Sequence, residues 1–571
     1  LGHITVKSLL IGMLACTALV GCTSEDVPEV NNGENKFDGE KAYLAVKIAS
    51  TNANSRADGG TYEEGDAKEH YVSDARFYFF DANYNAFKIG ETNYKEAAPK
   101  NTGEDKMENV EEILETVLVI ENYQGTLPKY IVAVLNTGNN LKDESLSLSQ
   151  LKEKVGDFAT YGMVGASQKY TDNKGASQTG DFVMSSSVYA DANGAETIAV
   201  PLSAENFKTT AEDAKKDDAA VKIYVERVAA KVRVSNFGTN GTTTFDVYAT
   251  DENGNVTDNF YKFGEETVKA KILGYQVVDY STHSYLIKHI DPAWTDANLG
   301  FVWNDAPWFR SYWAVTTPIA EGANQIEDPD YSYNNIKANT AARYCFENTL
   351  GTTPTQVIVA AQLQDADGKA LEIAEWMGYK YTKTALKDAI LSTLTSKLYT
   401  LETETTGEGD AAVTTKKWTS IASREYIDFK KADDSGAKDY EAEAIFVMPE
   451  GKEYGTDINF YTKGSTTPLT KADVEAIFEA IEPAMVWNDG MTYYNATITH
   501  LGAAGKSGEI GVVRNHIYDL GINKIAGLGT PVVEGDAAIN KTEVVSEESF
   551  VAATINIHSW RLVNNNSVVL K

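Results

Sequence analysis

Apolar residues in this chain of 571 residues fall at every second position or in short runs closed by turn residues. That pattern commits most of the chain to β-strands. Tyr43 to Ile48 alternates, with Leu44, Val46 and Ile48 on one face. Arg76–Phe80 and Tyr130–Leu135 read as buried strands, as do 221–225, 230–234, 272–278, 357–363 and 443–447. Between them stand turn signals: Asn240-Gly241, Glu252-Asn253-Gly254, Asp367-Gly368 and Asn488-Asp489-Gly490. The 31 Tyr and 20 Phe suit a pleated surface. Helical spacing is confined to 146–155, 204–216, 384–394 and 471–481, the last two opening on Thr384 and Thr470 as N-caps. Thr403–Lys417 is polar, rich in Thr and Gly, and reads as a surface loop. Strands at short spacing with few helices point to β-sandwiches or related mainly-β folds.

Composition narrows the class. Hydrophobic content of 43% supports packed cores, and the length allows roughly two to four domains. With 82 acidic against 51 basic residues the net charge is −31, which repels nucleic acid and anionic lipid alike. The cysteines are Cys16, Cys22 and Cys345, too few for a disulfide framework once the leader is set aside. Lys7 precedes the apolar run Leu9–Val20, which is too short to span a bilayer and reads as a secretory signal. Leu19-Val20-Gly21-Cys22 has the form of a lipobox, which makes Cys22 the expected lipidation site and 1–22 the signal peptide. Cys16 is the rival site, and cleavage there would leave a very short apolar core. A start at Val6 instead of Leu1 gives a tidier signal. The polar stretch to Lys36 reads as a tether.

Chemistry-bearing constellations are sparse. The seven histidines are scattered and form no HExxH set, and no CxxC occurs, so no metal site is expected. Cys345, flanked by Tyr344 and Phe346, reads as a packed core thiol. Asp251–Asp258 and Asp365–Gly368 have the flavour of calcium loops but lack the full ligand spacing, and both fall where a hairpin turn is expected. There is no GxSxG and no phosphate loop. No enzyme and no cofactor is predicted.

Several strand motifs, taken together and in order, resemble a known family. They are Tyr130-Ile-Val-Ala-Val-Leu-Asn136, Phe182-Val-Met184-Ser-Ser, Val225-Glu-Arg227-Val-Ala-Ala-Lys231-Val-Arg-Val234, and Ile272–Lys288 with Tyr285-Leu286. The most specific is Tyr493-Tyr494 followed by Gly511-Val-Val-Arg514-Asn515-His516-Ile517-Tyr518-Asp519-Leu520. The chain so resembles the fimbrillins of Bacteroidales, the subunits of type V pili, with a layout similar to the shaft subunits of minor Porphyromonas fimbriae. The plain reading of Arg514–Leu520, an alternating strand with His516, Tyr518 and Leu520 on one face, agrees with it.

The resemblance implies a mainly β fold, two β-sandwich domains of transthyretin-like or Greek-key type with a few short helices and a C-terminal donor strand, and with it a function and its parts. The chain would be a lipoprotein precursor held at the outer membrane by a lipid on Cys22. An arginine-specific protease would cut between Arg56 and Ala57, in a polar small-residue loop of the kind proteases favour. The cut would remove the 23–56 propeptide with the first strand and its Leu44, Val46 and Ile48. The vacated slot would take a donor strand, 549–571, from another subunit, presenting Val551, Ala553, Ile555 and Ile557 at alternate positions. Domains would then run 57–224 and 225–548. Expected partners are identical subunits in a filament, tip and anchor fimbrial proteins, and a surface ligand of host or bacterial origin, with the mature protein in a cell-surface fimbrium. The residue-level alternatives are an Arg56 without a role and a final strand folded back onto its own domain. Tip or accessory subunits and a non-polymerising glycan-binding lipoprotein are the other functions; Trp303, Trp308 and Trp313 would serve the last.

Overall fold

A computed structural model describes residues 41–51, 69, 72–97, 100–101, 110–121, 126–171, 177–190, 196–291, 293, 314–316, 326–327, 331–433, 437–500, 505–506, 508–540 and 550–559. The described residues are mainly β-strand with a few short helices, and their strands pack as β-sandwiches.

The N-terminal strands are β1 (Lys41–Thr51), β2 (Ala75–Phe80), β3 (Tyr94–Ala97), β4 (Val110–Glu121), β5 (Tyr130–Leu135), β6 (Met184–Ser186) and β7 (Val221–Arg227). Their order across the sheet is β3-β2-β5-β6-β7-β1-β4. The run Ile131 to Leu135 is apolar throughout because both faces of β5 are covered. Ile131, Ala133 and Leu135 enter one core with Phe77, Phe79, Leu44, Val46 and Ile223, while Val132 and Val134 enter a second. Alternate residues of β1, β2, β4, β5 and β7 thus share a core, so the sheet folds back on itself as two layers. Helix α1 (Leu148–Lys152) starts at a capping box made by Ser147 and Gln150.

Chain segment 204–216 is not the single helix its spacing suggests. It breaks into a 3-10 turn, a two-residue strand at Phe207–Lys208 and the short helix α2 (Ala211–Ala214) capped by Thr210. Phe207 is buried in the first core and its backbone pairs with β1, a tertiary demand that overrides helix propensity.

Beyond Val228 and Ala229, both fully buried, the second sandwich begins. It is built from β8 (Ala230–Val234), β9 (Thr244–Thr250), β10 (Lys269–Val278), β11 (Arg343–Cys345) and β12 (Gln356–Gln364), with α3 (Tyr333–Lys337) against β10 and β12. Asp251 accepts from the backbone of Asn253 and Asn255, and Asp365 from that of Asp367 and Lys369, so both aspartates cap hairpin turns.

An insertion follows, with β13 (Ile373–Trp376), β14 (Tyr379–Thr382), α4 (Lys383–Leu394), β15 (Tyr399–Thr406), β16 (Val413–Ser420), β17 (Ile427–Lys431), β18 (Glu441–Phe446), α5 (Lys471–Glu479) and β19 (Ala484–Trp487). Its five-stranded sheet runs β14-β13-β19-β18-β17, and Leu386, Ile390, Leu394, Val474 and Phe478 seat both helices in a separate core. Each such side chain contributes on the order of 1.5–3 kcal/mol before ordering costs. The cap of α4 is Thr382, which accepts from the Ala385 amide at 3.0 Å, so Thr384 lies inside the helix; Thr470 caps α5 as expected. Thr403–Lys417 belongs to a two-stranded ribbon, β15–β16, and not to a loop. Its alternating β-branched threonines favour extended backbone.

The chain then returns to the second sandwich through β20 (Met491–Thr497), β21 (His516–Ala526), β22 (Thr530–Pro531) and β23 (Phe550–Ser559). The order is β11-β8-β21-β9-β10-β12-β20-β22, with β23 on β21. The two sandwiches share a continuous core that joins Tyr78, Phe80 and Val132 to Val232, Tyr275, Val359 and Tyr518. Val155–Asp157 also pairs antiparallel with His283–Tyr285 across the junction.

Candidate functional site

Of the residues singled out for function, Leu44, Val46 and Ile48 lie on β1. This strand is the first described segment of the chain, yet it lies inside the sheet, where first strands need not be. One edge pairs antiparallel with β4, from Lys41 opposite Glu121 to Thr51 opposite Val110. The other pairs antiparallel with Phe207–Lys208 and then parallel with β7, from Val46 opposite Val221 to Ser50 opposite Val225. Ala42, Leu44 and Val46 are fully buried on the inner face, as their alternation predicts. The side chain of Ile48 lies outside the described residues.

The outer face is closed as well. Ala45 packs with Ala214 and Ala220, and Lys47, only 6% exposed, reaches Asp217 with its Nζ 2.7 Å from Oδ1. The hydrogen bond and charge of Lys47 hold the Asp217 carboxyl below its ordinary range. No spacing in the sequence points to Asp217. Its only signal is that a lysine in mid-strand needs an anion if both faces are covered.

Removal of β1 would leave a slot flanked by Leu118 and Ile120 on one side and Val221 and Ile223 on the other, with unpaired backbone groups along β4 and β7. Such edges accept a strand of matching period. Cys22, Arg56, Ala57, Trp303, Trp308 and Trp313 lie outside the described residues.

The last described strand, β23, pairs antiparallel with β21 of its own chain, from His516 opposite Ser559 to Ala526 opposite Phe550, with a register shift between Ile522 and Lys524. The backbone of Val551, Ala553, Ile555 and Ile557 is therefore hydrogen-bonded within the subunit, facing Ile525, Ile522, Leu520 and Tyr518.

The Arg514–Leu520 motif organises the junction of the two sandwiches. Arg514 is fully buried and donates to Glu347 Oε1 at 2.6 Å, to the carbonyls of Leu286 and Tyr285, and to Ser284 Oγ. Asn515 takes up a left-handed φ of 56° and its Oδ1 accepts from the Arg227 amide at 3.2 Å. The carbonyl of Glu69 accepts from Arg227 Nε, and its carboxylate meets Lys231 Nζ at 2.8 Å and the Tyr344 hydroxyl. Burial alone would raise that carboxyl, but Lys231, Tyr344 and Arg227 hold it below its ordinary value. Residue 69 follows Arg56 in the sequence, so the chain beyond Arg56 is anchored at the junction independently of β1.

His516 is buried and its Nδ1–H donates to the Arg514 carbonyl at 2.7 Å; burial pushes the imidazole down to about 4. Cys345 is fully buried and its thiol is pushed up to about 12. Among the described residues no cluster of His, Cys, Asp and Glu is arranged to hold a metal ion, and no helix is long and apolar enough to cross a membrane.

Residues 485–566 match the family described as major fimbrial subunit protein type IV, fimbrillin, C-terminal. Among solved structures the chain is similar to a candidate cell adhesion protein from Parabacteroides distasonis, at 12% identity over 92% of this chain and 99% of that one, with a TM-score of 0.36. It is similar to a fimbrilin from Porphyromonas gingivalis, at 13% identity over 91% and 99%, with a TM-score of 0.33. A candidate cell adhesion protein from Bacteroides eggerthii aligns at 10% identity over 92% and 98%, with a TM-score of 0.32. No function is carried over from structures this distant. No match is found among curated proteins.

Proposed function

We propose that this chain, which carries a C-terminal segment of the fimbrillin family, is a structural subunit of a cell-surface fimbria and not an enzyme. In this reading it is the shaft subunit, exported as a lipoprotein on Cys22 and held at the outer membrane until an arginine-specific protease cuts between Arg56 and Ala57. Identical subunits then join by donor-strand exchange, with 549–571 of one entering the β1 slot in the 57–224 sandwich of the next, and 225–548 forming the second sandwich of each subunit. Tip and anchor fimbrial proteins and an unidentified surface ligand complete the partner set, and the filament supports adhesion.

One observation carries this reading. β1 is hydrogen-bonded on both edges and buried on both faces, yet it precedes Arg56 in the sequence, so a single cut there severs it from a fold that stays anchored at Glu69. Few other single cuts would empty an interior strand position. The test is electron microscopy and N-terminal sequencing of wild type and Arg56→Ala. Wild type should yield filaments whose subunits begin at Ala57, and Arg56→Ala a full-length monomer. Filaments of Arg56→Ala that retain β1 would refute strand vacancy as the trigger.

A tip or accessory subunit is the second reading. It is favoured by the pairing of β23 with its own β21, which occupies the strand that a shaft subunit must give away. Deleting the last 22 residues, Phe550–Lys571, separates the two. A shaft subunit loses polymerisation, and a tip subunit still caps filaments of its partner.

A further inference from the structure

The β15–β16 ribbon is built like an edge awaiting a partner. Among the described residues, it is tied to the inserted module at its base. Tyr399 and Tyr461 exchange backbone hydrogen bonds at 3.0 and 2.8 Å, and Trp418 Nε1 donates to the Ser465 carbonyl at 2.8 Å. Beyond the base, every residue from Glu402 to Lys417 is exposed. Each strand is eight residues long, and the pairing runs from Tyr399 opposite Ser420 to Thr406 opposite Val413 without a bulge. The turn is tight: Gly407 has φ 95°, and a Cβ there would sit 2.7 Å from the Ala411 carbonyl oxygen.

An isolated two-stranded ribbon with neither face covered is marginal in water. What holds this one together is thin, an exposed Glu402–Lys417 pair at 3.6 Å and a Thr405–Thr414 hydroxyl contact at 3.1 Å. Of the usual protections of a free edge, neither strand has a proline, a bulge or a covering segment among the described residues, so charge alone guards the two edges.

Charge distinguishes the two edges. β15 carries Glu402 and Glu404 and no basic residue, whereas β16 carries Lys416 and Lys417 and no acidic one. Two ribbons meeting β15 to β15 would set acid against acid, and β16 to β16 base against base. When β15 of one ribbon meets β16 of another and both point the same way, the new pair is antiparallel and the charges match.

We propose that the ribbon joins copies of this chain edge to edge, β15 of one copy pairing with β16 of the next. The contact is heterologous, so it repeats along a row of copies instead of closing a pair. It goes beyond the fimbrial reading, because it needs neither the cut at Arg56 nor a donated strand.

The experiment uses the full chain with Arg56→Ala, so that strand exchange through a vacated slot cannot contribute. Self-association is followed by sedimentation velocity at low and high salt. Two variants are made: Glu402→Lys with Glu404→Lys, which turns both strands basic, and Lys416→Glu with Lys417→Glu, which turns both acidic. Each alone should weaken self-association about tenfold or more, and an equimolar mixture of the two should associate again. Repair on mixing distinguishes contact between copies from a merely internal Glu402–Lys417 effect, which mixing cannot mend. All substituted side chains are exposed and none belongs to the module's core, so thermal unfolding of that core should be unchanged, while the lost Glu402–Lys417 pair affects the ribbon of both variants alike. A wild-type chain that stays monomeric, single variants that associate like wild type, or a mixture that stays apart would each overturn the proposal.

Discussion

Leu44→Ala in the chain cleaved after Arg56 measures how tightly the slot holds its first strand. Leu44 is fully buried near the start of the segment of β1 that pairs on both edges, opposite Leu118 on one side and Phe207 on the other. Replacing a buried leucine by alanine removes about 2–5 kcal/mol, transfer and cavity together. The pairing of three strands around this site leaves little room for collapse, so about 3 kcal/mol is a fair central figure. After the cut, β1 is held without a covalent bond, and that loss becomes an affinity change of about 150-fold at 1.4 kcal/mol per decade. Most of it should appear in the off-rate. The assay labels the N-terminal fragment with a fluorophore, cleaves with an arginine-specific protease and follows release by anisotropy. Lys41→Ala is the control: Lys41 and Glu121 form an exposed pair at 3.3 Å, whose loss should change release by about fivefold at most. A Leu44→Ala fragment that leaves no faster than wild type would refute the claim that inner-face packing retains β1.

Other outcomes follow from the junction and the C-terminal strand. Arg514→Ala leaves the 1%-exposed Glu347 carboxylate without its cation and should destabilise the chain by about 3–5 kcal/mol in urea denaturation. His516 has a folded pKa of about 4 against an ordinary 6.5, so below pH 6.5 the unfolded chain binds the extra proton and this group's contribution declines as pH falls, by about 3 kcal/mol once pH is below 4. His516→Asn should flatten that pH dependence in denaturation series between pH 4 and 7. Deleting 550–571 bares the outer edge of β21, so its outward amides should lose hydrogen-exchange protection while those of β1 and β4 keep theirs.

Much of the β architecture is legible because a strand's period is local. Tyr130–Leu135 and Ala230–Val234 are strands with the bounds their apolar runs predict, and Thr470 caps its helix as its position suggests. The inner face of β1 follows from the alternation of Leu44 and Val46 alone. The cap of α4 and the 204–216 segment depart from their local signals, because competing threonines and a buried Phe207 leave the decision to packing. The Thr403–Lys417 segment has the composition of a loop, and only pairing with its own neighbour makes it a ribbon.

What the tertiary structure decided is which strand lies beside which, and which charge meets which. Arg514 finds Glu347 at a separation of 167 residues, and Lys47 finds Asp217 at 170. No local period encodes either partner. The interior place of β1, between β4 and β7, is set the same way, by long-range closure of a sheet whose strands are each compatible with several neighbours. Side-chain alternation specifies a face, whereas hydrogen-bonding edges are alike along every strand, so neighbour choice falls to the packing of the whole.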